Sequence, residues 1–210
     1  MPRSFIAIDF PESTANRLQE IAFGLPHAVW VPAHQYHLTL RFLGDIEETV
    51  FEDVAHVLRD VRAESFHIDL KNVGHFPLRG NPEILWAGVA PSDALARLNR
   101  KLENTLKRAG ILPEGRKFHP HVTLARLKNG SARHLGDFEV QHSLFKIFDI
   151  PVEGFHLYSS RLTPEGALHT IESSYPLNGM LQGHSEGVEN SDGVEDAAGE
   201  IPRSKTKEVA

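Results

Sequence analysis

Hydrophobic positions along the chain fall into short runs separated by turn residues. The first run, Phe5-Ile6-Ala7-Ile8 closed by Asp9, predicts a buried strand. Pro11 then starts a helix with Leu18, Ile21 and Ala22 on one face, and Gly24 ends it. A loop holding Pro26, Trp30 and Pro32 leads to a strand over Tyr36–Phe42, and Gly44-Asp45 reads as a turn into a second helix. Asp45 and Glu48 have capping-box spacing there, and Phe51, Val54, Leu58 and Val61 form its apolar stripe. Strands are expected at Phe66–Val73 and Ile84–Val89, with a Gly/Pro-rich connection from Gly74 to Pro82. Ser92 caps a third helix whose Leu95, Leu98, Leu102, Leu106 and Ala109 form a core-facing row, closed by Lys107-Arg108 and Gly110. Past Pro113 and Gly115 the pattern returns to strands: about His121–Arg126, Phe138–His142, Phe145–Ser160 with a break near Pro151, and Ala167–Leu177.

Alternating strand and helix runs, with β structure closing each half, argue for an α+β fold. One short strand pattern occurs once in each half: His37-Leu38-Thr39-Leu40 and His121-Val122-Thr123-Leu124, 84 residues apart. Two copies at that distance suggest two related lobes around a pseudo-twofold axis, not a solenoid. One two-lobed domain is expected over residues 1–178. After Met180, Gly, Ser, Asn, Glu, Asp and Ala dominate and periodicity ends, so residues 179–210 are expected to form a disordered acidic tail.

Charge sharpens this division. Of the formal charge of −6, the seven acids and three bases after Leu177 contribute −4, leaving −2 on the body. A near-neutral body lacks the broad cationic face that holds a long nucleic-acid backbone, so such a partner is expected to be met at an end or in a pocket. The 210 residues include no cysteine, which excludes disulfides, thiolate nucleophiles and cysteine zinc sites. No apolar run is long enough to span a bilayer, and the N-terminus lacks a signal-peptide pattern, so a cytoplasmic location is expected. A monomer is the expected state, although nothing in the sequence decides it.

The repeated pattern carries the candidate chemistry. Residues i and i+2 of a strand share a face, so His37 projects with Thr39 and His121 with Thr123, while the residues between them point into apolar packing. Two such strands side by side offer two imidazoles and two hydroxyls. An imidazole titrates near neutrality, so one neutral and one protonated ring make a general base and a general acid for in-line attack at phosphorus. The threonines can donate to non-bridging oxygens or orient the rings. A strained 2′,3′-cyclic phosphate suits such a centre, and neither metal nor cofactor is required.

At these residues the chain resembles the 2H phosphoesterases, specifically the RNA 2′,3′-cyclic phosphodiesterases historically called 2′-5′ RNA ligases. The resemblance runs through Phe5-Ile6-Ala7-Ile8, Trp30-Val31-Pro32, His37-Leu38-Thr39-Leu40-Arg41-Phe42-Leu43-Gly44, Pro120-His121-Val122-Thr123-Leu124-Ala125-Arg126 and Leu157-Tyr158-Ser159-Ser160-Arg161-Leu162. It implies a bilobal α+β fold with antiparallel-rich sheets flanking a central cleft and helices outside. It also implies opening of RNA or nucleotide 2′,3′-cyclic phosphates to 2′-phosphomonoesters, with 2′-5′ joining as the reverse-type reaction. His37 would be the proton donor and His121 the proton acceptor, roles that the residues alone leave interchangeable. Arg126 would sit in the phosphate site. Strict alternation, however, puts Arg126 on the face opposite His121, so a bulge, a strand end or a wrapped side chain is needed.

Alternation also puts Arg41 with His37 and Thr39, where an exposed strand-end role is favoured over phosphate contact. Core packing is favoured for Phe42 and Trp30. His34 with His37 and His119 with His121 have the look of metal pairs, but no carboxylate or cysteine completes them. The other histidines, His156 and His169 among them, are expected to be surface or satisfied residues. Two rival functions remain: a nucleotide-binding module without catalysis, and a metal-dependent phosphohydrolase.

Overall fold

A computed structural model describes residues 3–78, 81–127, 132–163 and 166–178. The expected tail, residues 179–210, lies outside the described residues. Nine strands and four α-helices are found among the described residues: β1 (Arg3–Asp9), α1 (Glu12–Gln19), β2 (Ala28–Trp30), β3 (His37–Asp45), α2 (Glu48–Val57), β4 (Phe66–Leu78), β5 (Asn81–Val89), α3 (Asp93–Arg108), β6 (His121–Leu127), α4 (Ala132–Gln141), β7 (Lys146–Val152), β8 (Gly154–Thr163) and β9 (Gly166–Pro176). Single 3-10 turns precede β3 at Ala33–Gln35 and follow α2 at Leu58–Asp60.

The strands run in the order β7-β4-β5-β6-β3-β1-β8-β9, with β2 paired to β6. Every pairing between named strands is antiparallel, and only Leu38↔Val122 joins the two motif strands. The expected α+β architecture is therefore one continuous sheet, with β7, β4, β5, β6 and the added β2 on one side and β3, β1, β8 and β9 on the other, meeting along β3 and β6. Apolar residues of the core face, among them Ile6, Ile8, Leu38, Leu40, Leu85, Ala87, Val122, Leu124 and Leu157, join Leu18, Val54, Leu95, Leu98, Leu102 and Leu106 of α1, α2 and α3 in a single core. The opposite face carries the motif histidines.

Local expectations and structure differ at several places. Helix α1 ends at Gln19, so Ile21 and Ala22 of its expected face and Gly24, its expected stop, lie in the turns that follow. Ala28–Trp30 is a strand, because a chain pinned by Val31 N–H on Leu124 O (2.9 Å) can pair residue by residue with β6. Within the expected Gly74–Pro82 connection, the described residues extend β4 to Leu78 and start β5 at Asn81: Gly74 pairs with Trp86, whose ring covers it, and a Cβ on Gly74 would lie 2.5 Å from that ring. Phe138–Gln141 is the last turn of helix α4, not a strand, with Leu135 and Phe138 one turn apart in the core, and His142 closes it by donating its N–H to Phe138 O. So short a stretch cannot distinguish the two periods. Finally, β3 runs on through Gly44 (φ 76°) to Asp45, and α2 begins after Glu47 with no side-chain cap, so no Asp45–Glu48 capping box forms. The Ser92 cap of α3 is present, accepting from Leu95 N–H at 3.2 Å.

Candidate active site

Both motif strands carry the same irregularity. Ile6 pairs with Arg41 and Ala7 with Thr39, so Leu40 is an extra residue in β3; Leu85 pairs with Ala125 and Trp86 with Thr123, so Leu124 is extra in β6. A bulge of this kind resets side-chain alternation. Burial agrees: His37 and Thr39 are half-buried, Leu38, Leu40 and Arg41 buried and Phe42 exposed, and the same sequence of states recurs over His121–Arg126. The carbonyls freed by the bulges are used, Leu40 O accepting from Asn99 Nδ2 (2.9 Å) and Leu124 O from Val31 N–H.

The bulges sort the two arginines. Arg126 turns to the face of His121 and Thr123, which resolves the alternation problem. Arg41 turns the other way and is 4% exposed. Its guanidinium donates to both carboxylate oxygens of Glu103 on α3 (3.0 and 3.2 Å) and to Leu112 O. Thus Arg41 does not share the histidine face and is not a strand-end arginine. Phe42, expected in the core, is 55% exposed on the histidine face at the position that corresponds to Arg126. Trp30 packs on Phe138 and the core, as expected (ring centroids 5.9 Å).

The two histidines are held alike. His37 Nδ1 lies 2.8 Å from Gln35 O, and His121 Nδ1 lies 2.7 Å from His119 O, each two residues upstream. A carbonyl only accepts, so Nδ1 carries the hydrogen and the neutral ring leaves Nε2 free. Burial pushes His37 down to about 4, against the carbonyl bond that raises it, with His169 and His121 adding repulsion. His121 is also lowered by burial, against its own bond to the His119 carbonyl, with the His119 ring adding repulsion. The free cleft thus favours two neutral imidazoles.

Aromatic rings wall the cleft on both sides. Phe5 lies 4.9 Å from His37 and stacks on Tyr158 at the same distance. Phe76 meets His121 edge-on at 4.8 Å, and Trp86, lying along Gly74 and Gly88, reaches His119 at 5.6 Å. Side chains that the sequence did not single out also stand on this side of the sheet. His169 of β9 is edge-on to His37 at 5.2 Å. Asp9 and Ser174 sandwich His156, with Asp9 Oδ1 2.9 Å from Nε2 and Ser174 Oγ 2.8 Å from Nδ1. No local signal marks any of them, because each contact is made across strands. Among the described residues no three His, Cys, Asp or Glu side chains converge as metal ligands.

Known proteins share this framework. A family model described as the 2′-5′ RNA ligase superfamily matches residues 10–161. A Thermotoga maritima protein named RNA 2′,3′-cyclic phosphodiesterase is 34% identical over 85% of this chain and 97% of its own length. A Thermus thermophilus protein of the same name is also 34% identical, over 84% and 91%. Among solved structures, TT0787 of Thermus thermophilus superposes with a TM-score of 0.70 at 30% identity, covering 84% of this chain and 98% of that one. Apo LigT of E. coli shares the fold at a TM-score of 0.65 and 23% identity, covering 85% of this chain and 98% of its own. With twin histidine strands at the centre of an antiparallel-rich sheet and relatives matched over nearly their whole length, this chain belongs to the 2′-5′ RNA ligase superfamily.

Proposed function

We propose that this protein opens terminal 2′,3′-cyclic phosphates of RNA or nucleotides to 2′-phosphomonoesters, using His37 and His121 as acid and base without a metal. One observation carries the reading: two bulged strands present His, Thr and a third residue on one face, with both imidazoles fixed by Nδ1–H on a carbonyl and both Nε2 atoms free. The activity named for the relatives agrees with it.

The step is set by that tautomer. His121 Nε2 takes a proton from water as the water oxygen attacks phosphorus, and the bond to the 3′-oxygen breaks on the opposite side. His37, protonated on Nε2, gives its proton to that leaving oxygen. One water is consumed, one 2′-phosphomonoester and one 3′-hydroxyl form, and a proton passes from His121 back to His37 through solvent. Thr39 and Thr123 donate to non-bridging oxygens, and Arg126 balances their charge. His37, lowered to about 4 in the free cleft, regains its proton beside the phosphate anion, which stabilises an imidazolium. A 5′-hydroxyl in the place of water gives a 2′-5′ linkage by the same movements. The acid and base roles are those of the family; the matching carbonyl bonds of the two rings do not distinguish them.

The test is an RNA oligonucleotide ending in 2′,3′-cyclic phosphate, assayed with and without EDTA, with the product identified by phosphorus NMR. Turnover to the 2′-phosphate should survive chelation and fall at least about a hundredfold in both His37→Ala and His121→Ala. Binding without turnover would mark a nucleotide-binding module, and loss with EDTA a metal-dependent hydrolase; either outcome overturns the proposal.

A further inference from the structure

His169 stands in the cleft although it belongs to neither motif. Strands β8 and β1 lie between β9 and β3, so in a flat sheet the two would be roughly 14 Å apart. The His169 ring nevertheless meets His37 at 5.2 Å and Phe5 at 5.1 Å, edge-on to both. The β8–β9 hairpin therefore curls over the site. A register slip accounts for the bend: Leu157 pairs with Ser173 but Tyr158 with Ile171, leaving Glu172 extra.

The hydrogen on this ring is decided by its surroundings. His169 Nδ1 is buried with no hydrogen-bond partner. An N–H there would forfeit its bond, whereas a bare lone pair is the more tolerable loss. The neutral ring accordingly carries its hydrogen on Nε2, the reverse of His37 and His121. Burial and the positive field of Arg126 keep it neutral. A neutral N–H donor beside a guanidinium and a proton-donating imidazole is suited to an anionic oxygen.

We propose that His169 is a further phosphate-contacting residue, donating from Nε2–H to a non-bridging oxygen of the reacting phosphate on the His37 side of the cleft. The inference rests on the cyclic-phosphate reading above and extends the phosphate site beyond the two motifs.

His169→Phe retains the ring contacts with Phe5 and His37 and deletes the donor; His169→Gln keeps a donor. For a nucleoside 2′,3′-cyclic phosphate, His169→Phe should raise KM, and the inhibition constant of inorganic phosphate, by roughly tenfold, the value of one hydrogen bond to a charged oxygen. His169→Gln should recover most of that loss. Unchanged KM and phosphate inhibition in His169→Phe would overturn the inference, leaving a packing role. Should the variant fail to fold, the wild-type imidazoles can be followed by nitrogen-15 NMR during a phosphate titration. His169 should report hydrogen on Nε2 and shift with phosphate, and hydrogen on Nδ1 or no shift would overturn it. Wild-type turnover in the same assay separates the two claims: its absence sinks the cyclic-phosphate reading, whereas turnover indifferent to His169→Phe sinks only this inference.

Discussion

Arg41 and Arg126 come after the same His-x-Thr-Leu pattern one position apart, and a single extra residue in each strand reverses the face that strict alternation gives each of them. Their substitutions should separate accordingly. Arg41→Met leaves the Glu103 carboxylate and Leu112 carbonyl without their donor, and should cost about 3 kcal/mol of stability, the lower end for a broken buried pair because Glu103 still reaches water. Chemical denaturation measures it, and KM should change little. Arg126→Ala should leave the midpoint almost unmoved and raise KM for the cyclic phosphate. The histidines make a second prediction at this scale. With His37 near 4 and His121 below its ordinary value in the free cleft, the singly protonated pair becomes scarcer as pH rises above 6.5. The profile of kcat/KM, which reports the free enzyme, should therefore peak on the acid side of 6.5, with the kcat profile displaced upward by the bound phosphate. A kcat/KM maximum above pH 7 would contradict the lowered values.

The elements most legible in the sequence are those whose period repeats several times. Helix α3 shows its apolar row and its Ser92 cap; the cap is found, as is the row from Leu95 to Leu106, with Ala109 at the C-cap. Short or mixed segments are not legible in this way. Residues Phe138–His142 hold too few apolar positions to set a period, and β2 is a strand only because β6 lies beside it. In the β4–β5 hairpin, glycine looks like a loop signal, yet Gly74 is there because the Trp86 ring occupies the space of a side chain. Gly74→Ala should therefore destabilise the hairpin by about 1–3 kcal/mol, as overpacking does. Because Trp86 also borders His119, the variant should lower turnover beyond what its unfolded fraction explains. Thermal melts and rates on the same sample distinguish the two effects.

At the scale of the molecule, two half-sheets meet through one residue pair, and the site occupies the seam. A cleft that keeps its histidines neutral has a consequence for stability. His37 takes up a proton near 6.5 when unfolded but only near 4 when folded, so protonation favours the unfolded chain between those values. The stability it contributes is complete above pH 6.5 and declines by about 3 kcal/mol as pH falls to 4, with His121 and His169 acting in the same direction. Denaturation midpoints measured from pH 7.5 to 4.5 should show this slope, and His37→Phe should flatten it.

The chain's own pattern was enough to determine the α+β class and the pair of His-x-Thr strands, because alternation and helical periods are local properties written residue by residue. Tertiary structure decided the rest. Bulges at Leu40 and Leu124 are defined only against neighbouring strands, so the faces of Arg41, Phe42 and Arg126 depend on pairing partners that no local window contains. His169 enters the cleft for the same reason: a slipped register on β9 curls a distant hairpin over His37, and a lone histidine in sequence carries no trace of it.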